Sequence, residues 1–194
     1  IEAYNAIRKV TVQASNYAYD LLFVNNGSTD ATRKLIHTVV AKDKRVKGIY
    51  LSRNFGPESS TQAGLDIARG DAVIIYECDM QDPPDLMLKF IEKWEEGYEI
   101  VAGVRNKIDD EPVMTFFRKV FYQIFRAVSD INVPVNSGHY GLVGRNALNA
   151  MHLLPEKYRF FRGIRAWVGF KTAYIIYMRR RRLRGKSSYN FFSY

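Results

Sequence analysis

Glu77, Asp79, Gln81 and Asp82 fall within six residues of one another, directly ahead of Pro83-Pro84. In extended backbone, residues two apart face the same side, so Glu77, Asp79 and Gln81 would offer three oxygen-bearing side chains to one point. Oxygen donors in that arrangement suit Mg2+ or Mn2+, which keep open positions for diphosphate oxygens and offset the charge of a departing nucleoside diphosphate. The same stretch also reads as a solvated acidic loop, with Asp82 or Asp85 capping the next helix. His37 and His152 lie on expected helices with no partner motif and take no role.

Such side chains need elements that bring them to one place. Strand-length apolar runs alternate with helix-period segments, the pattern of an α/β domain with a mostly parallel sheet. Leu21 to Val24 reads as a buried strand, followed by the turn Asn25-Asn26-Gly27-Ser28. Thr29 or Asp30 caps a helix to about Ala41, and Lys47 to Leu51 is another short strand. Pro57 to Arg69 reads as a helix stopped by Gly70, and Ala72 to Tyr76 as the clearest core strand. Asp85 to Glu96 forms an amphipathic helix closed by Gly97, Ile100 to Val104 returns as a strand, and Val113 to Ser129 is a long helix. Ligands of open α/β sheets sit beyond the carboxyl ends of the strands, which places Asn25 to Asp30 and Glu77 to Asp82 on one rim. The charged stretch Asn106 to Glu111 is expected as a loop near the same rim.

At 194 residues and 47% hydrophobic content, the chain can bury one sizeable core and is short for two. A single cysteine, Cys78, excludes an internal disulfide framework and fits a reducing compartment. The net charge of +9 is uneven, because Lys157 to Tyr194 hold 11 of the 29 basic residues and no acidic one. The remainder carries 18 basic against 20 acidic residues, so a near-neutral body bears a basic, aromatic tail. Such a tail suits a polyanion, and charge alone does not choose among an anionic membrane, a pyrophosphate and RNA. No uninterrupted apolar stretch approaches the roughly 18 to 20 residues that a bilayer span needs.

Several segments in order narrow the choice. They are Phe23-Val24-Asn25-Asn26-Gly27-Ser28-Thr29-Asp30, Ser52-Arg53-Asn54-Phe55-Gly56, Glu77 to Pro84, Gly103-Val104-Arg105, Asn136-Ser137-Gly138-His139-Tyr140, Arg159 to Gly163, Trp167 to Phe170 and Arg182 to Tyr189. Together they resemble the inverting family-two glycosyltransferases of GT-A fold, and more narrowly the polyprenyl-phosphate sugar transferases. The resemblance covers nearly the whole chain. It implies a GT-A type, Rossmann-like, mostly parallel mixed sheet flanked by helices, here without its first strand and the nucleotide loop after it.

The resemblance carries over by position. Asn26 stands where the family usually has an aspartate that contacts the nucleotide base, Asp30 belongs to the same loop, and Arg53 lies in the next donor-side loop. Asp79 matches the metal-binding aspartate, with Glu77 at the first metal position in place of an aspartate, and Gln81 sits beside the donor phosphates. Arg105, Arg118 and Arg182 match basic positions that hold donor pyrophosphate or acceptor phosphate. His139 replaces an acidic residue, Gly141 an arginine and Ser188 a lysine.

A hydroxyl acceptor needs a general base, which a misplaced or protonated histidine supplies poorly. A phosphate monoester, with its second pKa near 6, needs none at neutral pH, and His139 is compatible with positioning it. The expectation is therefore an inverting, metal-dependent transfer with Asp79 and His139 in the catalytic roles. A nucleotide-sugar donor, a polyprenyl phosphate acceptor and Mg2+ or Mn2+ are the expected small molecules, at the cytoplasmic face of a membrane. Residues 1–178 would form the transferase domain and 179–194 a basic, aromatic tail for an anionic membrane surface. Nucleic acid is not an expected partner, and oligomeric state stays open. Transfer to a hydroxyl in polysaccharide synthesis is the rival reading, and a degenerate domain that binds a nucleotide sugar without turnover is a third.

Overall fold

The computed structural model describes residues 1–106, 134, 136–156 and 159–180. The expected helix Val113 to Ser129, most of the expected loop Asn106 to Glu111, Arg118, Arg182 and the aromatic tail lie outside the described residues. The chain opens on α1 (Glu2–Gln13), which the apolar pattern leaves unassigned, and then alternates β1 (Leu21–Asn25), α2 (Thr32–Lys42), β2 (Val46–Tyr50) and α3 (Pro57–Ile67). It continues through β3 (Ala72–Ile75), α4 (Leu86–Glu95) and β4 (Ile100–Arg105). The later part, also unassigned from the sequence, holds β5 (Ser137–Gly144), α5 (Arg145–His152), α6 (Phe161–Trp167) and β6 (Thr172–Tyr177).

The strands form a parallel pair, β1-β2, and a four-stranded sheet in the order β3-β5-β4-β6. β4 pairs in parallel with β6, while β5 runs antiparallel between β3 and β4. The mixed sheet is therefore as expected, and its antiparallel share comes entirely from β5. That strand inserts where Gly141 faces both Ile75 and Ala102. A Cβ at Gly141 would lie 2.4 Å from the carbonyl oxygen of Val101 and 3.3 Å from Arg165 Nη1, so only glycine fits the observed spacing.

Alternation along the strands builds two apolar layers. Val101, Tyr140, Leu142 and Tyr177 face one side, with Ile7 and Val10 of α1 and Leu86, Met87 and Phe90 of α4. Ile100 and Val143 face the other, with Leu65 of α3, Ala147, Leu148 and Met151 of α5 and Phe161 of α6. Leu21 of β1 packs on the first layer, which ties the parallel pair to the larger sheet. Tyr140 is wholly buried against Phe90 at 4.9 Å and Tyr177 at 5.8 Å, both edge-on, and its hydroxyl donates to the Pro83 carbonyl at 2.7 Å. Core packing and the loop after β3 thus share one side chain.

Phe90 is 0% exposed, so Phe90→Ala removes an aromatic ring from the layer beneath Tyr140. The expected cost is about 3–5 kcal/mol, read as a lower urea midpoint at unchanged slope. A change below about 1 kcal/mol would show that this layer is not the core.

Candidate active site

β3 ends at Ile75 and the chain turns at Cys78 and Asp79, so Glu77 to Asp82 is not extended. Met80 adopts φ +60°, the only positive φ of a non-glycine among the described residues, and reverses the direction of the loop. The expected alternation of Glu77, Asp79 and Gln81 is corrected accordingly. Gln81 turns its side-chain amide to the Arg180 carbonyl at 3.3 Å, and its backbone N–H donates to Asp79 Oδ1 at 3.1 Å. The backbone N–H of Arg180 returns a bond to the Gln81 carbonyl at 2.8 Å.

Asp82 takes the place expected for Gln81. Arg179 gathers the three carboxylates: Nη2 lies 2.9 Å from Glu77 Oε2 and 3.4 Å from Asp79 Oδ2, and Nε lies 3.2 Å from Asp82 Oδ1. The same Asp82 oxygen accepts a 2.6 Å bond from the Tyr177 hydroxyl. Asp82 Oδ2 is buried without a hydrogen bond and faces Arg105 Nη2 at 3.9 Å. Arg105 Nη2 is also 3.9 Å from Glu77 Oε2, and its Nε donates to the Tyr177 hydroxyl at 3.4 Å. Asp85 stands at the N-cap position of α4 but makes no side-chain cap hydrogen bond, and Asp82 lies before it.

His139 stands on β5 at the edge of this cluster. Its Nε2 is 3.1 Å from Glu58 Oε1 and its Nδ1 is 3.7 Å from Glu77 Oε1. The Glu58 contact is an ion-pair distance without aligned hydrogen-bond geometry, since Nε2 is also a buried nitrogen with no hydrogen-bond partner. The ring stacks on Phe161 at 5.7 Å, and Glu58 Oε2 accepts the Phe161 backbone N–H at 3.0 Å. Burial on its own lowers an imidazole, but the Glu58 and Glu77 carboxylates outweigh it and hold His139 above its ordinary value. Glu77 is held low, chiefly by His139. Burial pushes Asp82 up despite Tyr177, Arg105 and Arg179, which act in the opposite direction.

The other loops of the rim meet around Asn26. Its Nδ2 donates to Asn54 Oδ1 at 2.8 Å and to the Gly56 carbonyl at 3.1 Å, and its Oδ1 accepts the Phe55 N–H at 2.9 Å. Gly27 packs so closely on Arg53 that an added Cβ would lie 2.3 Å from the Arg53 carbonyl carbon, and its φ of +67° also favours glycine. Asn26 is thus a brace between the loops after β1 and β2. Asp30 accepts the Thr32 N–H at 2.9 Å, at the start of α2, and those hydrogen bonds lower its carboxyl. Arg53 is exposed, with its guanidinium 4.0 Å from the centre of the Phe55 ring.

The structure brings Glu77, Asp79, Arg105 and His139 together and adds Asp82, Glu58, Tyr177 and Arg179. Asn26 and the Arg53 loop form a second group, reached from the first through Gly56 and Glu58 at the start of α3, while Asp30 is turned to Thr32 at the start of α2. Glu77 and Asp79 each aim an oxygen at one guanidinium nitrogen, so two hard donors already converge on a cation. That donor set fits Mg2+ or Mn2+ with diphosphate oxygens completing the coordination. Among the described residues, no three His, Cys, Asp or Glu side chains form a complete protein site.

Asn26→Asp would set a carboxylate oxygen against the Asn54 and Gly56 acceptors in place of two N–H donors. A loss of about 1–3 kcal/mol in urea unfolding at neutral pH is expected. Unchanged stability would remove Asn26 from its bracing role.

Residues 2–151 match the model of the family described as Glycosyl transferase family 2. An uncharacterized glycosyltransferase, YkcC of Bacillus subtilis (strain 168), is 41% identical over 97% of this chain and 58% of its own length. A prophage bactoprenol glucosyl transferase homolog of Escherichia coli (strain K12) is 33% identical over 96% of this chain and 61% of its own length. The bactoprenol glucosyl transferase of Shigella phage SfV is 34% identical over 96% of this chain and likewise 61% of its own. The chain therefore spans about three fifths of the length of these relatives. A solved structure of S. aureus TarS 1-349 aligns over 89% of this chain and 55% of that chain, with TM-score 0.49 and 15% identity. The family match over residues 2–151 shows that the chain belongs to glycosyl transferase family 2.

Proposed function

We propose that this domain transfers a sugar from a nucleotide-diphosphate sugar to a polyprenyl phosphate, with inversion, at the cytoplasmic face of a membrane. One observation carries the reading: Glu77, Asp79 and Asp82 converge with Arg105, Arg179 and His139 at the rim of the sheet. The bactoprenol glucosyl transferases among the relatives support the choice of acceptor.

Glu77 and Asp79 would hold Mg2+ or Mn2+, which supplies charge to offset the donor diphosphate. Arg105 adds positive charge beside Glu77 and Asp82, and buried Tyr177 fixes its guanidinium. A phosphate oxygen of the acceptor attacks the anomeric carbon from the face opposite the diphosphate. The new C–O bond forms as the old one breaks, and the nucleoside diphosphate leaves with the electron pair. No proton has to be removed, because the acceptor is already largely dianionic at neutral pH. His139, raised above its ordinary value by Glu58 and Glu77 against the effect of burial, is better suited to orienting an anion than to taking up a proton. This favours the phosphate acceptor over the hydroxyl acceptor. Arg118 and Arg182 are assigned to phosphate contacts by resemblance, and the tail to a membrane surface by its basic and aromatic composition.

Asp79→Ala is expected to lower transfer at least 100-fold without unfolding the domain, an effect typical of losing charge stabilisation at a reacting centre. Full activity in that variant would end the metal assignment. With wild type and a panel of nucleotide sugars, the expected product is a lipid-linked sugar phosphate cleaved by mild acid. An acid-stable glycoside would turn the assignment to the hydroxyl acceptor. Cys78 is exposed between Glu77 and Asp79, and one of UDP, GDP or dTDP with Mn2+ should slow its alkylation. No protection by any of the three would count against a nucleotide site at this rim.

A further inference from the structure

Arg179 satisfies the carboxylates from within the chain. Its guanidinium contacts Glu77, Asp79 and Asp82 at 2.9, 3.4 and 3.2 Å, so it occupies the point toward which Glu77 and Asp79 aim their oxygens. It is also tethered there. Two residues earlier, the Tyr177 hydroxyl is fixed on Asp82, and one residue later Arg180 is clamped to Gln81 by two hydrogen bonds. A cation attached so closely competes at an effective concentration in the millimolar range or above.

A divalent ion and this guanidinium would draw on the same oxygens and repel each other at contact distance. Their occupancy is therefore exclusive. We propose that Arg179 is a tethered stand-in for the donor's divalent ion, closing the acidic rim in the absence of donor and leaving when metal and nucleotide arrive together. The proposal rests on the assignment of Glu77 and Asp79 to that ion. Its consequence is that the ion alone binds weakly, since only the fraction of molecules with Arg179 displaced can accept it. The metal–nucleotide pair brings additional contacts through the phosphates and so displaces the guanidinium where the free ion does not. Departure of Arg179 also strains the adjacent clamp, because Arg180 holds the Gln81 backbone in the same loop.

The test is a Mn2+ titration of the whole chain, with free ion read by electron paramagnetic resonance and no nucleotide present. Arg179→Gln is expected to bind Mn2+ about tenfold tighter than wild type. Arg105→Gln removes the same charge 3.9 Å from Glu77 and Asp82 but opens no coordination point, and clearly less tightening than in Arg179→Gln is expected. Equal tightening in both variants would reduce the effect to the local field and overturn the proposal, as would no tightening in Arg179→Gln.

Hydrogen exchange of wild type gives a reading that needs no variant. The Arg180 amide should exchange faster once Mn2+ and a bound nucleoside diphosphate, UDP, GDP or dTDP, are both present, and retained protection in that complex would overturn the proposal. Failure of wild type to take up Mn2+ with any of the three nucleotides would sink the metal assignment and this inference with it. Uptake without a gain in Arg179→Gln sinks the inference alone.

Discussion

A carboxylate removed completely from water sets the terms for the rest of the site. Asp82 is 0% exposed, and an unpaired charge in that position would cost several kcal/mol. Its partners are drawn from distant parts of the chain: Tyr177 ends β6, Arg179 follows it, and Arg105 ends β4. Burying Asp82 therefore fixes the ends of β4 and β6 against the loop after β3. The parallel β4-β6 pairing supplies the matching geometry, since Arg105 stands directly opposite Tyr177. The chemistry of the rim and the register of the sheet depend on the same contacts.

A second constraint acts on the donor side. Asn26 spends its side-chain hydrogen bonds on the neighbouring loop, which leads into α3 and so to Glu58. Glu58 then reaches His139 and the first turn of α6. The loops after β1, β2 and β3 and the strand β5 are thereby joined through polar contacts, with β1, β3 and β5 anchored in the two apolar layers. Local loop motion is restrained from both ends, as preorganised charge stabilisation requires.

Much of this was legible in the sequence. The strand and helix alternation from Leu21 to Val104 follows from apolar runs with Gly and Pro stops, and the observed elements fall within a few residues of that reading. The rim position of Glu77 to Asp82 follows from the strand before it. What the sequence does not carry is the direction of each side chain once a loop leaves extended geometry. Met80 at positive φ exchanges the roles of Gln81 and Asp82, and a methionine gives no signal for that conformation. Arg179 looked like one arginine among many in a basic run, because nothing local shows that β6 ends beside the acidic loop. β5 carries three glycines among its eight residues, which weakens its strand signal, and it is recognisable only by its pairing with β3 and β4 on either side.

Gly141 sits where the Val101 carbonyl and the Arg165 guanidinium already fill the volume of even a methyl group. Arg165, 4% exposed, is held by Ser137 Oγ at 2.6 Å and the Gly138 carbonyl at 3.3 Å, and burial lowers it to about 10. An arginine at 141 would therefore place a second buried cation beside Arg165 and force β4 from β5. The point where β5 passes between its two neighbours is a place where the smallest side chain sets how closely the backbones approach, and with it how near His139 on β5 stands to the loop after β3.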